Sequence, residues 1–252
     1  TIRLPDGPSA ASILPASRLG LGTSLRELPL DPPAGELVMA VGRGGYCGLV
    51  RLEDGRLDVA AAIDRGALAA AASPADAVLG VLANAGIDPA WLESLRERFA
   101  AAVFRGTPPL TRSRAVAAAA GRVLRVGDAA GYVEPFTGEG MGWALASARL
   151  CDESLAPAIS AGTICGDLAA AAARYAAAHR RHFALQHARC RRVAHAVRQP
   201  WLVGGAAWLA RLAPGMAGRM TPLVVGSPAR AIQAARAGDR RSGDTCAPEA
   251  RA

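Results

Sequence analysis

The chain has 252 residues, and about half of them are hydrophobic. That is enough to bury a large core in one domain or two small ones. Basic residues outnumber acidic ones 29 to 21, yet every basic residue is Arg and Ala is abundant. This pattern fits GC-rich coding, and no aromatic residues are interleaved with the arginines as single-strand binding requires, which argues against nucleic acid as the partner. No apolar run reaches the ~18 residues of a membrane span, and no signal peptide opens the chain. The five cysteines (Cys47, Cys151, Cys165, Cys190, Cys246) are scattered, with no Cys-x-x-Cys pair. They suit a reduced, cytoplasmic setting and small buried hydrophobes, with no metal site expected.

Residues 1–34 are rich in Pro and Gly with little periodicity, and Asp6-Gly7 suggests a hairpin end. Three strands follow as a meander: Glu36 to Val41, Tyr46 to Leu52 and Leu57 to Ile63. Asp54-Gly55 between the last two is a two-residue hairpin signal. Helices are expected over Arg65 to Ala72, Pro74 to Ala85 and Pro89 to Phe99. Pro74 and Pro89 suit first-turn positions, with Ser73 and Asp88 as N-caps. Ala101 to Arg105 and Arg114 to Ala118 read as returning strands.

The stretch from Val123 to Leu145 carries the most information. Leu124 and Val126 make a strand too short to stand outside a sheet. Gly127 permits a sharp turn, and Asp128 offers an acceptor-only carboxylate to a hydroxylated ligand. Ala129, Ala130 and Gly131 keep the approach open. Pro135 stiffens the loop, and Gly138, Gly140 and Gly142 leave backbone N–H groups uncovered where a long helix, Gly138 to Ile159, begins. A plain strand–turn–helix junction with Asp128 as N-cap is the competing account.

A second long helix is expected from Gly166 to Arg198. Leu168, Tyr175, Phe183, Cys190 and Val197 are spaced at seven or eight along it, one apolar stripe. All four histidines (His179, His182, His187, His195) lie on this segment among many arginines, and the expectation is a solvated basic face. An anionic partner such as a membrane surface or a prenyl diphosphate suits that face. Weaker helices are read at Trp201 to Leu212 and Pro222 to Ala235, with a polar, disordered tail from Gly238.

The run Gly127-Asp128-Ala129-Ala130-Gly131, then Pro135-x-x-Gly138-x-Gly140, then Ala144-Leu145-x-Ser147-Ala148 resembles the second FAD-binding motif of the flavoprotein oxidoreductases typified by p-hydroxybenzoate hydroxylase and geranylgeranyl reductase. The resemblance covers roughly residues 17 to 198. It implies that Gly127, Asp128 and Ala129 meet the ribityl chain of FAD. Pro135, Thr137, Gly138, Gly140 and Met141 would then lie beside the isoalloxazine ring. It also implies that the meander is a substrate-facing sheet with Tyr46 as a candidate pocket residue, a buried cross-strand Tyr being the competing account. Geranylgeranyl reductases carry Tyr-x-Trp-x-Phe-Pro in the second of these strands, whereas this chain has Tyr46-Cys47-Gly48-Leu49-Val50-Arg51.

The family's opening strand–Gly-x-Gly-x-x-Gly–helix unit is not found. Gly42-Arg43-Gly44 has Cys47 in place of the third glycine and leads into a strand. The expected fold class is therefore α+β, an α/β fragment without the N-terminal dinucleotide lobe. Residues 1–34 would be a remnant of that lobe or a linker and 35–118 the substrate domain. Residues 119–165 would be the FAD-binding segment, 166–237 a helical region and 238–252 a tail. The implied activity is FAD-dependent reduction or hydroxylation of a small hydrophobic, unsaturated or aromatic substrate. An external donor, NAD(P)H or a redox protein, would reduce the flavin, and Glu139 is either a proton relay or simply a helix first-turn acid. A non-enzymatic remnant or accessory subunit is the alternative.

Overall fold

A computed structural model describes residues 14–26, 35–111, 118–120, 123–160 and 164–212. Five antiparallel strands form the main sheet: β1 (Leu19–Leu25), β2 (Leu37–Gly42), β3 (Gly45–Arg51), β4 (Leu57–Ile63) and β5 (Arg105–Gly106), in the order β2-β3-β4-β1-β5. The meander lies within a residue of expectation. The turn between β3 and β4 differs: the Leu52 N–H donates to the Arg56 carbonyl at 2.8 Å, so the loop has three residues, Glu53 to Gly55. Gly55 takes the left-handed conformation (φ 80°) that such a loop needs at its last position.

β1 is an element that residues 1–34 give little reason to expect. It pairs along its whole length with β4, Leu19 opposite Ile63 and Leu25 opposite Leu57. Leu19, Leu21 and Leu25 share one face in a period-2 pattern interrupted by Thr23, with Gly20 and Gly22 on the other face. The Asp6-Gly7 hairpin lies outside the described residues.

Three helices cover one face: α1 (Arg65–Ala70), α2 (Pro74–Asn84) and α3 (Pro89–Ala101). Both expected caps form. Ser73 Oγ accepts from the Asp76 N–H, and Asp88 Oδ1 accepts from the Ala90 and Trp91 N–H groups, each cap contributing about 1 kcal/mol. Cys47, Leu49, Leu57, Val59 and Ile63 from the sheet are buried with Val78, Val81 and Leu82 from α2 and Leu95 and Phe99 from α3. Ala101, expected to open a strand, ends α3 instead, and only Arg105 of that segment joins a strand. Of Arg114 to Ala118, residues 114–117 lie outside the described residues, and Ala118 is not in a strand.

The other face of the sheet is built differently. Paired residues share a face, so Gly48, Ala60 and Gly22 form one row, and Tyr46, Ala62 and Gly20 the next. Apart from Tyr46 these side chains are hydrogen or methyl, and Ala60 is exposed. Met39 and Leu37 crowd Gly48, and Thr107 and Leu110 crowd Gly20, so the open part of this small-residue floor is Gly22 and Ala60.

A second sheet pairs β6 (Ala119–Ala120) with β7 (Val123–Leu124), followed by 3-10 turns at Gly127–Ala130 and Pro135–Thr137. Then come α4 (Gly140–Ser160), α5 (Ile164–Ala196) and α6 (Pro200–Leu212). The antiparallel sheet with packed helices makes this an α+β protein. The Pro222 to Ala235 helix and the tail lie outside the described residues.

Candidate functional site

The Gly-Asp turn is held by a serine one helix away. Gly127 adopts φ 56°, and a Cβ there would meet the Ala144 methyl at 3.2 Å, so glycine lets the turn rest on α4. Its N–H donates to Ser147 Oγ at 2.7 Å, and that hydroxyl donates to the Ala144 carbonyl at 2.9 Å. Ser147 is buried.

Asp128 and Ala129 emerge from this clamp exposed. Among the described residues no hydrogen-bond or ion-pair partner holds the Asp128 carboxylate, so it does not cap the junction. Its charge, after burial, helps push the Tyr132 phenol up to about 12. Gly138 takes φ 68°, and a Cβ on Gly138, Gly140 or Gly142 would meet nothing within 4 Å. Internal packing therefore does not demand glycine at 140 and 142. The space beyond them is open, and exposed Val126, Met141 and Leu145 border it. An unpartnered acid beside uncovered helix N-terminal amides and bare apolar side chains has the chemistry to receive a polyhydroxylated chain ending in a flat ring. Glu139 precedes α4, half-buried, and its carbonyl accepts the Trp143 N–H at 2.9 Å.

The loop from Gly131 to Thr137 is anchored from behind. Thr137 Oγ1 lies 3.6 Å from Cys190 Sγ, which also donates to the Glu134 carbonyl at 3.4 Å. Phe136 meets the Tyr46 ring edge-on with centroids 5.0 Å apart. The structure thus brings Tyr46, at the end of the small-residue floor, against the glycine-rich loop. Tyr46 is 4% exposed and its hydroxyl has no hydrogen-bond partner among the described residues. Burial, then the Glu134 carboxylate, holds the phenol far above its ordinary value. A neutral buried donor without an acceptor is uncommon in folded proteins, and it marks a place where a water or a ligand atom can be received.

Beneath this contact lies a cluster not foreseen from the sequence. Arg18 Nε donates to Asp64 Oδ1 at 2.9 Å, and its Nη1 donates to Glu134 Oε1 at 2.8 Å. Arg198 reaches the same two acids, Nη1 to Asp64 Oδ1 at 3.2 Å and Nη2 to Glu134 Oε2 at 3.0 Å. Two cations and two anions close a neutral ring around side chains that are 2% exposed at Arg18 and Glu134. Burial alone would lower the Arg18 pKa, but the Glu134 charge and the bond to Asp64 outweigh it and raise it. The Arg18 guanidinium also sits 5.2 Å over the Tyr46 ring. Glu134 immediately precedes Pro135, so the ring fixes the start of the glycine-rich loop. A carboxylate inside the apolar run Tyr132-Val133-Glu134-Pro135-Phe136 was the one local clue.

α5 also corrects an expectation. Of the expected stripe, Tyr175, Phe183, Cys190 and, just past the helix end, Val197 are buried and Leu168 is half-buried, but His179 and His187 are buried as well; of the four histidines His182 and His195 stay exposed. The His179 ring packs 5.7 Å from Tyr175 and 4.5 Å from Phe183, and His187 stacks on Phe183 and meets Trp143. This aromatic ladder joins α5 to α4. Burial, reinforced by His182, lowers the His179 pKa.

No protein-family model matches the sequence, and no curated protein is significantly similar to it. Solved structures do match. A probable FAD-dependent monooxygenase from Pseudomonas aeruginosa, PqsL, aligns with a TM-score of 0.55 and 20% identity over 78% of this chain and 53% of its own. HpxO of Klebsiella pneumoniae, solved with FAD and uric acid, gives 0.57 and 17% over 85% and 54%. The flavin-dependent brominase Bmp2 gives 0.58 and 14% over 90% and 56%. The chain spans about half the length of these structures, and over that half it has the fold of FAD-dependent monooxygenases and halogenases.

Proposed function

We propose that this chain supplies the FAD-facing and substrate-facing parts of an FAD-dependent oxidoreductase of the monooxygenase type. The observation that carries the reading is the surface from Gly127 to Gly142: an exposed Asp128, unpartnered among the described residues, with open space beyond Gly138, Gly140 and Gly142. In this reading Gly127 shapes the turn, Asp128 accepts hydrogen bonds from the ribityl hydroxyls, and Ala129 keeps the approach clear. Pro135, Thr137, Gly138, Gly140 and Met141 lie along the ring. The bound flavin supplies the electron transfer and oxygen chemistry, and the chain supplies position and electrostatics. The partial positive charge at the α4 N-terminus, roughly half an elementary charge, would favour negative charge on a ring placed against it.

The substrate in this reading is small and largely apolar, lying on the floor of Ala60 and Gly22, with the Tyr46 hydroxyl as donor to its one polar group. HpxO has been crystallised with uric acid and PqsL with 2-aminobenzoylacetate, both small molecules. An external donor, NAD(P)H or a redox protein, would supply the electrons. Residues 35–118 act as the substrate-binding unit and 119–165 as the flavin-binding segment.

Titration of the chain with FAD, followed by visible absorbance and flavin fluorescence, tests the proposal. Asp128→Ala is expected to weaken binding about 10- to 100-fold, from the loss of hydrogen bonds to a charged acceptor. A folded chain that leaves the flavin spectrum unchanged, or binds it equally well with and without Asp128, refutes the reading.

A further inference from the structure

α6 presents its apolar side outward. At 100° per residue, Trp201, Trp208, Leu212, Leu209 and Leu202 fall within an arc of about 120°. All five are exposed, Trp201 at 72% and Trp208 at 64%. Val203, on the opposite side, is half-buried where the helix rests near β2. A helix that shows two tryptophans and three leucines to solvent is not satisfied by water.

The charge of the neighbouring chain indicates what covers it. From Leu168 to Gly238 the sequence has 11 Arg and no Asp or Glu, which leaves the rest of the chain net acidic. On α5, Arg180, Arg181, Arg191, Arg192 and His195 are exposed and occupy one side, opposite the buried Tyr175, Phe183 and Cys190. An open depression of about 440 Å³ lined by Ala188, Arg191, Arg192 and His195 lies on that side, roomy enough for a phosphate group. No described helix is long and apolar enough to cross a membrane, and α6, at 13 residues, is well short of the ~20 needed.

We propose that α5 and α6 form a docking face for an anionic lipid bilayer. α6 would lie in the interface with its Trp and Leu side chains among the headgroups and upper acyl chains, and the α5 arginines would engage lipid phosphates. The inference stands independently of the flavin site.

Flotation of the full chain with phosphatidylcholine vesicles, and with vesicles containing about 30% phosphatidylglycerol (a composition chosen to mimic an anionic leaflet), tests it. Binding is expected to the anionic vesicles, with a blue shift of Trp emission and release at high salt. Trp201→Ser/Trp208→Ser, checked for fold by circular dichroism, is expected to weaken it at least about tenfold. Arg180→Ser/Arg181→Ser/Arg192→Ser is expected to lose about fivefold per charge, while Val103→Ser, an exposed apolar position beside the sheet, leaves binding unchanged. Equal binding to neutral vesicles, no binding to either, or a self-associated chain that the Trp double variant renders monomeric would each overturn the proposal. In the last case the face is an interface between copies.

Discussion

Replacing Arg18 by Met is the sharpest test of how the loop at Glu134 is held. The substitution keeps an aliphatic stem and removes the cation that bridges Asp64 and Glu134. Asp64 is 37% exposed and recovers water, so little of the cost arises there. Glu134 is 2% exposed and retains only the Arg198 bond at 3.0 Å. Breaking a buried pair by removing one partner costs about 3–5 kcal/mol, and the surviving Arg198 contact points to the lower part of that range. For a chain of this size each kcal/mol lowers Tm by about 2–4 °C, so scanning calorimetry should show a drop of about 6–16 °C. Arg198→Met, at a side chain 24% exposed, should cost less than half as much. Arg18→Met/Glu134→Leu removes the stranded charge as well, and should be less destabilised than the sum of the singles by at least ~1 kcal/mol. A Tm change below about 3 °C in the Arg18 variant, or strict additivity in the cycle, would show that the ring is solvated and the reasoning mistaken.

Two further outcomes are expected. The His179 pKa is lowered from 6.5, so just below that pH the unfolded chain binds a proton that the folded chain refuses, and stability falls as pH drops from about 6.5. Thermal melts at pH 7.5 and 5.5 should show His179→Phe losing less Tm on acidification than the parent; equal losses would place the pH sensitivity elsewhere. Gly42→Ala should destabilise by about 1–3 kcal/mol in urea unfolding, because its Cβ would collide with the backbone at Val81 and Ala85 of α2. A neutral result would mean that α2 can shift away from the end of β2.

What could be read from the sequence follows from how far each determinant reaches along the chain. Ser73 and Asp88 cap helices with bonds spanning two or three residues, and the strands of the meander find their partners across short turns, so both were visible in local pattern. The Gly-Asp motif was legible because the turn, the acid and the helix start lie within sixteen residues or so of one another. β1 was obscured because Gly20 and Gly22 lower the strand propensity of the segment and Thr23 interrupts the alternation of its leucines. His179 and His187 were misjudged because their arginine neighbours set the composition, while the 3.6-residue period set the burial. The ring of Arg18, Asp64, Glu134 and Arg198 could not be read at all: its members are drawn from four separate segments, and only the folded topology makes them neighbours.

That ring also imposes an order on the making of the protein. Arg18 and Asp64 leave the ribosome early, with the sheet that unites them, and Glu134 follows. Arg198 lies 64 residues further on, and at about 5–20 residues per second it is synthesised some 3–13 s after Glu134. Through that interval the acid at the head of the glycine-rich loop has one arginine to bind and not two. The last cation arrives on the trailing end of α5, so the loop becomes fully fastened only when that helix has been made and has come down onto it.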